Sequence, residues 1–168
     1  LKIKLVATAQ KINETQLAAF VLPQFVDEHE DLANVSNEFN GLVTESSFAD
    51  KHFFKGKGAG AYPTAAAVLS DIAALRYDYK YEYKKYLQPG KLALTNDYYL
   101  KVYVSADDID KIEKDEFEWI EEWHAREERK YLVGVLPVKE LFEQDWWKIN
   151  GTSLILTPDP IIEDIAIQ

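Results

Sequence analysis

The stretch Lys55-Gly56-Lys57-Gly58-Ala59-Gly60-Ala61-Tyr62-Pro63-Thr64 constrains this chain more than any other. Three glycines at alternate positions make a poor strand, because each adds backbone entropy and offers no side chain to pack. Pro63, Thr64 and the run Ala65-Ala66-Ala67-Val68-Leu69 follow at once. Proline suits the first helical position, where its missing N–H has no intrahelical partner to lose. The segment therefore predicts strand, glycine turn, helix N-terminus. Such a junction presents free backbone N–H groups and a partial positive charge, with no Cβ atoms in the way of a ligand. It is a candidate binding edge.

Before that turn the pattern is β. Leu1 to Gln10 alternates, with Leu1, Ile3 and Leu5 on one face and Lys2 and Lys4 on the other, the period of a half-buried strand. Gln16 to Val26 reads as its hairpin partner, and Pro23 within it predicts an edge position or a strand end. Asp27 to Asp31 is an acidic loop in which His29 is structural or merely exposed, and Asp31 to Val35 can form one helical turn. Asn37–Ser46 and Asp50–Lys57 predict two further strands, the second ending at the glycine turn. Four antiparallel strands followed by a helix predict an α+β fold, an antiparallel sheet covered by a helix. On that helix Val68, Ile72, Leu75 and Tyr79 form one stripe facing the sheet. The tyrosine-rich run Tyr77 to Tyr86 is expected to continue the helix.

Gln88-Pro89-Gly90 is a breaker, so the boundary is placed there, giving domains 1–88 and 89–168. Tyr98–Ser105 alternates as a strand. Asp107–Glu128 is charged and predicts a helix, capped by Asp107 or Asp108 and burying Ile109, Ile112, Phe117, Ile120 and Trp123. His124 falls near the end of that helix, without a catalytic role, and its glutamates read as a solvated face. Lys130–Leu136 is an apolar strand, and Pro137 opens a short helix. Trp146 and Trp147 are expected in the core, and Ser153–Thr157 makes a last strand. Strand, helix, strand, helix, strand predicts a small ferredoxin-like α/β unit with three strands.

Composition closes off several functions. Lys and Arg number 19 against 29 Asp and Glu, a formal charge of −10, which opposes non-specific binding to nucleic acid or to an anionic membrane. The dense Tyr/Lys run is accordingly no base-stacking surface. Cysteine is absent, so no disulfide, thiolate nucleophile or thiolate metal site exists, and no metal site is assigned. No run approaches the roughly 20 apolar residues of a membrane helix, and no signal peptide is visible. The acidic surface suits the cytoplasm. The chain begins at Leu1 and contains no Met, which is expected of a piece of a longer protein or of one processed at its N-terminus.

The segment Gly56-Lys57-Gly58-Ala59-Gly60-Ala61-Tyr62-Pro63-Thr64-Ala65-Ala66-Ala67-Val68-Leu69-Ser70-Asp71 closely resembles the glycine-rich segment late in the catalytic region of homoserine dehydrogenases. That segment typically reads Gly-(Arg/Pro)-Gly-Ala-Gly-x-x-Pro-Thr-Ala-x-x-Val-x-x-Asp. The flanks agree: Ile3-Lys4-Leu5-Val6-Ala7, then Leu22-Pro23, then Asn37-Glu38-Phe39-Asn40. The resemblance covers roughly residues 1–76. It implies a parent oxidoreductase that interconverts L-homoserine and L-aspartate 4-semialdehyde with NAD(P), in threonine and methionine biosynthesis. By the same resemblance Gly58, Ala59, Gly60 and Thr64 face the cofactor, since glycines admit the backbone to a dinucleotide and the helix terminus favours its charge.

No strand–G-x-G-x-x-G–helix fingerprint occurs in the chain. The family's catalytic Lys and substrate-binding acids lie upstream of the matching region, so no catalytic residue is assigned here. The fragment alone is expected to bind no NAD(P) and to be inactive. Some members carry a C-terminal ACT domain, a ferredoxin-like amino-acid sensor, and residues 97–168 look like a divergent version, with threonine as a possible effector. Its first turn departs from the usual Gly-containing form, reading Ser105-Ala106-Asp107-Asp108-Ile109. The rival reading is a non-catalytic amino-acid-sensing or dimerisation module. Sheet edges and exposed tyrosines suggest a homodimer under either reading.

Overall fold

A computed structural model describes residues 1–79, 90–126 and 129–162. The architecture is mixed, mostly strands with two helices: β1 (Lys2–Lys11), β2 (Gln16–Val26), β3 (Phe39–Ser46), β4 (Asp50–Lys57), α1 (Ala61–Arg76), β5 (Ala93–Leu94), β6 (Tyr99–Ala106), β7 (Trp119–Arg126), β8 (Arg129–Pro137), α2 (Val138–Glu143) and β9 (Thr152–Ile162). Short 3-10 turns cover Asp31–Asn34, Ile109–Lys111, Lys114–Glu116 and Trp146–Lys148.

Contacts divide the chain into two compact units, residues 1–27 with 91–168, and residues 28–90. One division falls between Gly90 and Lys91. The first hairpin, however, belongs with the C-terminal strands. Its β1–β2 ladder runs from Lys2↔Val26 to Lys11↔Leu17, turning where Asn13 Oδ1 accepts the Thr15 N–H at 3.0 Å. The sheet order is β1-β2-β9-β6-β8-β7, with β5 also pairing β2. The four strands expected to form one sheet are therefore shared between two, because β2 meets β9 at Gln24↔Leu156 while β3 and β4 pair only with each other. Pro23 does not mark an edge strand either. It sits opposite Leu5 in β2, and β1 takes the edge.

In the larger unit β6 alternates strictly, burying Leu100, Val102, Val104 and Ala106 on one side. Leu132 and Leu136 of β8 and Leu156 of β9 join them with almost no exposed surface. Ile109, Ile112 and Phe117 close this core from the turn region, and Val138, Leu141 and Trp146 close it from around α2. Trp146 thus fills the core as expected. Trp147 is half-buried and donates its indole N–H to the Leu141 carbonyl at 2.9 Å.

The helix expected over Asp107–Glu128 is absent. Two 3-10 turns and strand β7 occupy the described part of that range. Its apolar residues are buried or half-buried as expected, but by another geometry. Trp119-Ile120-Glu121-Glu122-Trp123 is rich in aromatic and β-branched residues, which pack well on a pleated surface, and β7 pairs antiparallel with β8. An irregularity between Ile120 and Glu122 shifts the register; such an extra residue breaks period-two alternation and leaves a spacing that mimics a helix. Lys114 covers the edge by placing Nζ 3.4 Å from the Trp123 ring centre. Among the described residues, the segment from 97 onward therefore carries four strands, not three, in the order strand, turns, strand, strand, helix, strand.

In the smaller unit Leu32 and Val35, in and beside the first 3-10 turn, pack on the β3–β4 hairpin. Gly41 permits this contact, since a Cβ there would fall 2.7 Å from Val35 Cγ2 and 3.2 Å from Leu32 Cδ2. Helix α1 stops at Arg76 instead of continuing. Asp78 adopts φ +54°, the Asp78 N–H bonds Leu75 O, and the Tyr79 N–H bonds Ala74 O. This paired closure ends helices at a left-handed residue. The remainder of the tyrosine run, from Lys80, lies outside the described residues. No residue of α1 is buried, and the stripe Val68, Ile72, Leu75 is more than half exposed instead of packed.

Candidate functional site

The glycine segment leaves β4 and enters α1 as the sequence requires. The helix opens at Ala61 with Gly60 as N-cap, so Pro63 is its third residue and not its first. The third position is equally free of an intrahelical N–H bond. Gly60 has φ +114° and ψ 159°, a region open essentially to glycine alone. Thr64 secures this corner twice: its Oγ1 donates to the Gly60 carbonyl at 2.9 Å and its N–H donates to the same oxygen at 3.2 Å.

Gly58 is fixed by β3. Its N–H donates to the Glu38 carbonyl at 3.1 Å. Its Cα lies under the Asn40 amide, so closely that a Cβ would overlap Nδ2 and come 2.9 Å from Cγ. Glu38 also receives the Lys57 ammonium at 2.9 Å. That bond, with one from its own backbone N–H, holds the Glu38 carboxyl below the usual carboxylate range. Lys55 donates to the Asn34 carbonyl at 3.2 Å. Both lysines lie over the Phe39 ring, 5.1 and 5.4 Å from its centre. The cations flanking the glycines are thus engaged with β3 and the preceding turn. Gly56, by contrast, has open space where a Cβ would stand.

Gly58, Ala59, Gly60 and Thr64 are therefore brought together, in distinct states. Gly58 and Thr64 are used to hold the turn. Among the described residues, the N–H groups of Ala59, Gly60, Ala61 and Tyr62 carry no hydrogen bond. Four consecutive donors at a helix N-terminus, with no side chain larger than Ala until Tyr62, can take a negatively charged or carbonyl-bearing group. Sequence reasoning passed over Asn40 and Glu38 as parts of this site. The signal was present in β3, whose register places Asn40 opposite Gly56 and Phe39 opposite Lys57.

His52 stacks on Phe54 with ring centres 6.4 Å apart. His124 lies on strand β7, not at a helix end, and stacks on Tyr131 at 4.4 Å with Glu122 3.6 Å away. No described helix is long and apolar enough to cross a membrane.

Residues 1–73 match the family model described as homoserine dehydrogenase, and the resemblance carried by the glycine segment is borne out. The homoserine dehydrogenase of Bacillus subtilis is 34% identical over 73 residues, 44% of this chain and 17% of that protein. That of Lactococcus lactis subsp. lactis is 33% identical over 107 residues, 60% of this chain and 25% of that protein. The crystal structure of a homoserine dehydrogenase from Thiobacillus denitrificans shares the fold at 18% identity, with a TM-score of 0.59 over 93% of this chain and 42% of that one. The chain thus spans a quarter or less of the curated relatives' length.

Proposed function

With homoserine dehydrogenase sequence across residues 1–73 as the starting point, we propose that this chain is the C-terminal part of such an enzyme. Residues 1–88 belong to its catalytic and dimerisation region, and residues 89–168 form an ACT-like regulatory domain. The intact protein is a cytoplasmic oxidoreductase that interconverts L-homoserine and L-aspartate 4-semialdehyde with NAD(P), in threonine and methionine biosynthesis.

The observation that carries this reading is the row of free N–H groups from Ala59 to Tyr62 at the head of α1, inside the family match. These groups fit a dinucleotide. Bound there, the nicotinamide supplies the hydride chemistry. The chain's own contribution is placement: Gly58 keeps the backbone open to close approach, Ala59 and Gly60 offer donors, and Thr64 pins the Gly60 carbonyl. No lysine of the turn stands free to act as an acid or base, since Lys55 and Lys57 are engaged. Residues 1–168 by themselves therefore hold half a site and neither bind NAD(P) well nor turn over homoserine. The exposed apolar stripe of α1 supports the same view, because an apolar surface of this kind is ordinarily covered by a partner.

The test is the full product of the gene. Wild type should reduce NAD(P) in a homoserine-dependent manner, and Gly60→Val should raise the KM for the cofactor by obstructing the donors. An unchanged KM in a folded Gly60→Val enzyme would refute the assignment.

A second reading is a non-catalytic sensing or dimerisation module. It is favoured by the ten-residue strand β1, which lies at the sheet edge, where unpaired backbone groups invite another strand. A gene product that sediments as a dimer yet shows no homoserine-dependent reduction would decide for it.

A further inference from the structure

The dipeptide Asn-Gly occurs twice in the chain, at Asn40-Gly41 and at Asn150-Gly151. The pair has a chemistry of its own. The backbone nitrogen that follows an asparagine can attack the side-chain amide carbon. Glycine favours the attack, because no Cβ crowds the nitrogen and the peptide turns easily about it. The fold treats the two copies differently.

Asn40 and Gly41 lie within β3, paired with Gly56 and Lys55 of β4. Attack requires the peptide between them to rotate out of that ladder. Gly41 has no space for the rotation, since even a Cβ there would come 2.7 Å from Val35 Cγ2 and 3.0 Å from Phe53 Cε2. The Asn40 carboxamide is itself packed against Gly58.

Asn150 and Gly151 instead form an exposed turn between the Trp146–Lys148 3-10 turn and β9. The Thr152 N–H closes this turn on the Ile149 carbonyl at 3.0 Å, and the Asp107 N–H ties it down through the Gly151 carbonyl at 3.2 Å. Neither bond holds the reacting atoms. Among the described residues, the Asn150 carboxamide and the Gly151 N–H make no hydrogen bond. Gly151 has φ +86°, and glycine moves between positive and negative φ at little steric cost.

We propose that Asn150 is a site of spontaneous deamidation, from which the fold protects Asn40. The Gly151 nitrogen bonds to Asn150 Cγ and gives its proton to solvent. The Cγ–Nδ2 bond breaks, and Nδ2 takes up a proton and leaves as ammonia, so that a succinimide ring remains. Water then opens the ring. Addition at Cγ leaves an ordinary aspartate, and addition at the backbone carbonyl carbon leaves an iso-aspartyl linkage that runs through the side chain. Either product carries OH in place of NH2 and a new negative charge at neutral pH, in a turn that lines one cavity with Asp107 and Asp108. The iso-aspartyl form also lengthens the backbone of the turn. That displaces the Gly151 carbonyl from Asp107 and disturbs the pairing of Thr152 with Ala106 at the head of β9.

The experiment incubates residues 1–168 in heavy-oxygen water at neutral pH and maps both dipeptides over time by peptide mass spectrometry. Label from the water marks only molecules that reacted before digestion. It should enter at position 150 at least about tenfold faster than at position 40, where a local opening must come first. Concentrated guanidinium chloride removes the fold and should bring the two rates together. Aged protein should lose protection from hydrogen exchange at the Asp107 and Thr152 amides. Asn150→Gln, whose longer side chain closes a ring far more slowly, should keep both its mass and that protection; the position is exposed and unbonded, so the variant folds. Equal rates in the folded chain, faster labelling at Asn40, a rate ratio that survives in denaturant, or equal loss of protection by aged Asn150→Gln overturns the proposal.

Discussion

Replacing Gly58 with alanine tests the construction of the glycine turn in one step. The new Cβ would overlap Asn40 Nδ2 and stand 2.9 Å from Asn40 Cγ. The backbone at Gly58 is not left-handed, unlike that at Gly60. The penalty is therefore steric and belongs to one side chain. Overpacking costs about 1–3 kcal/mol, and Asn40 is exposed and can swing outward, which places the expected loss near 1 kcal/mol. Asn40→Ala alone, at an exposed position, should stay within about 0.5 kcal/mol of wild type. In that background the clash is gone, and Gly58→Ala should be neutral or stabilise by up to about 1 kcal/mol through the less flexible unfolded chain. The coupling in the double-mutant cycle is thus about 1–2 kcal/mol. Urea denaturation followed at 222 nm measures it, because α1 with its 16 residues is the long described helix. All four tryptophans belong to the larger unit, so their fluorescence reports separately on that unit and should not change. A Gly58→Ala cost that persists undiminished in the Asn40→Ala background would refute the reasoning.

Other expectations follow from single positions. Gly60→Ala meets no close atom except Pro63 Cδ at 3.6 Å, so its cost of about 1–3 kcal/mol is backbone strain; amide exchange in the first turn of α1 should rise with it. Leu132→Ala, at a position with no exposed surface, should cost about 2–5 kcal/mol, read by tryptophan fluorescence during denaturation. Glu116 supplies a pH dependence. Desolvation raises its pKa above 4.5, against a lowering bond from the Trp146 indole, and nearby Glu113 and Glu140 add to the rise. The folded state therefore holds this proton more tightly than the unfolded one. Stability from this group is present at low pH and is lost as pH rises from 4.5 through the folded value. Glu116→Gln keeps an acceptor for Trp146 and should flatten that slope in urea titrations at stepped pH, while an unchanged slope would show that another group is responsible.

The glycine turn and the start of α1 were legible because glycine and proline act through the local backbone, and the local backbone is what a sequence shows directly. The β1–β2 hairpin was legible from the alternation of Leu1–Gln10 and the polar turn at residues 11–15. Strand β7 was not. Phe117, Ile120 and Trp123 recur every third residue among glutamates, and the irregularity at Ile120/Glu122 that permits this in a strand is visible only in the pairing with β8. Which hairpin joined which sheet was also hidden, since the β2–β9 bridge links Gln24 to Leu156 across most of the chain. At the site itself, Gly58, Ala59, Gly60 and Thr64 stood out by composition and resemblance. Asn40 did not, because its place over Gly58 depends on strand register and not on any unusual residue.

As proposed, this chain carries one side of a dehydrogenase site, and the rest of the protein supplies the other. The direct measurement is homoserine-dependent reduction of NAD(P), followed by absorbance at the nicotinamide band, for residues 1–168 and for the full gene product in parallel. Turnover is expected of the full product and not of residues 1–168. Turnover by residues 1–168, or its absence from the folded full product, would contradict it.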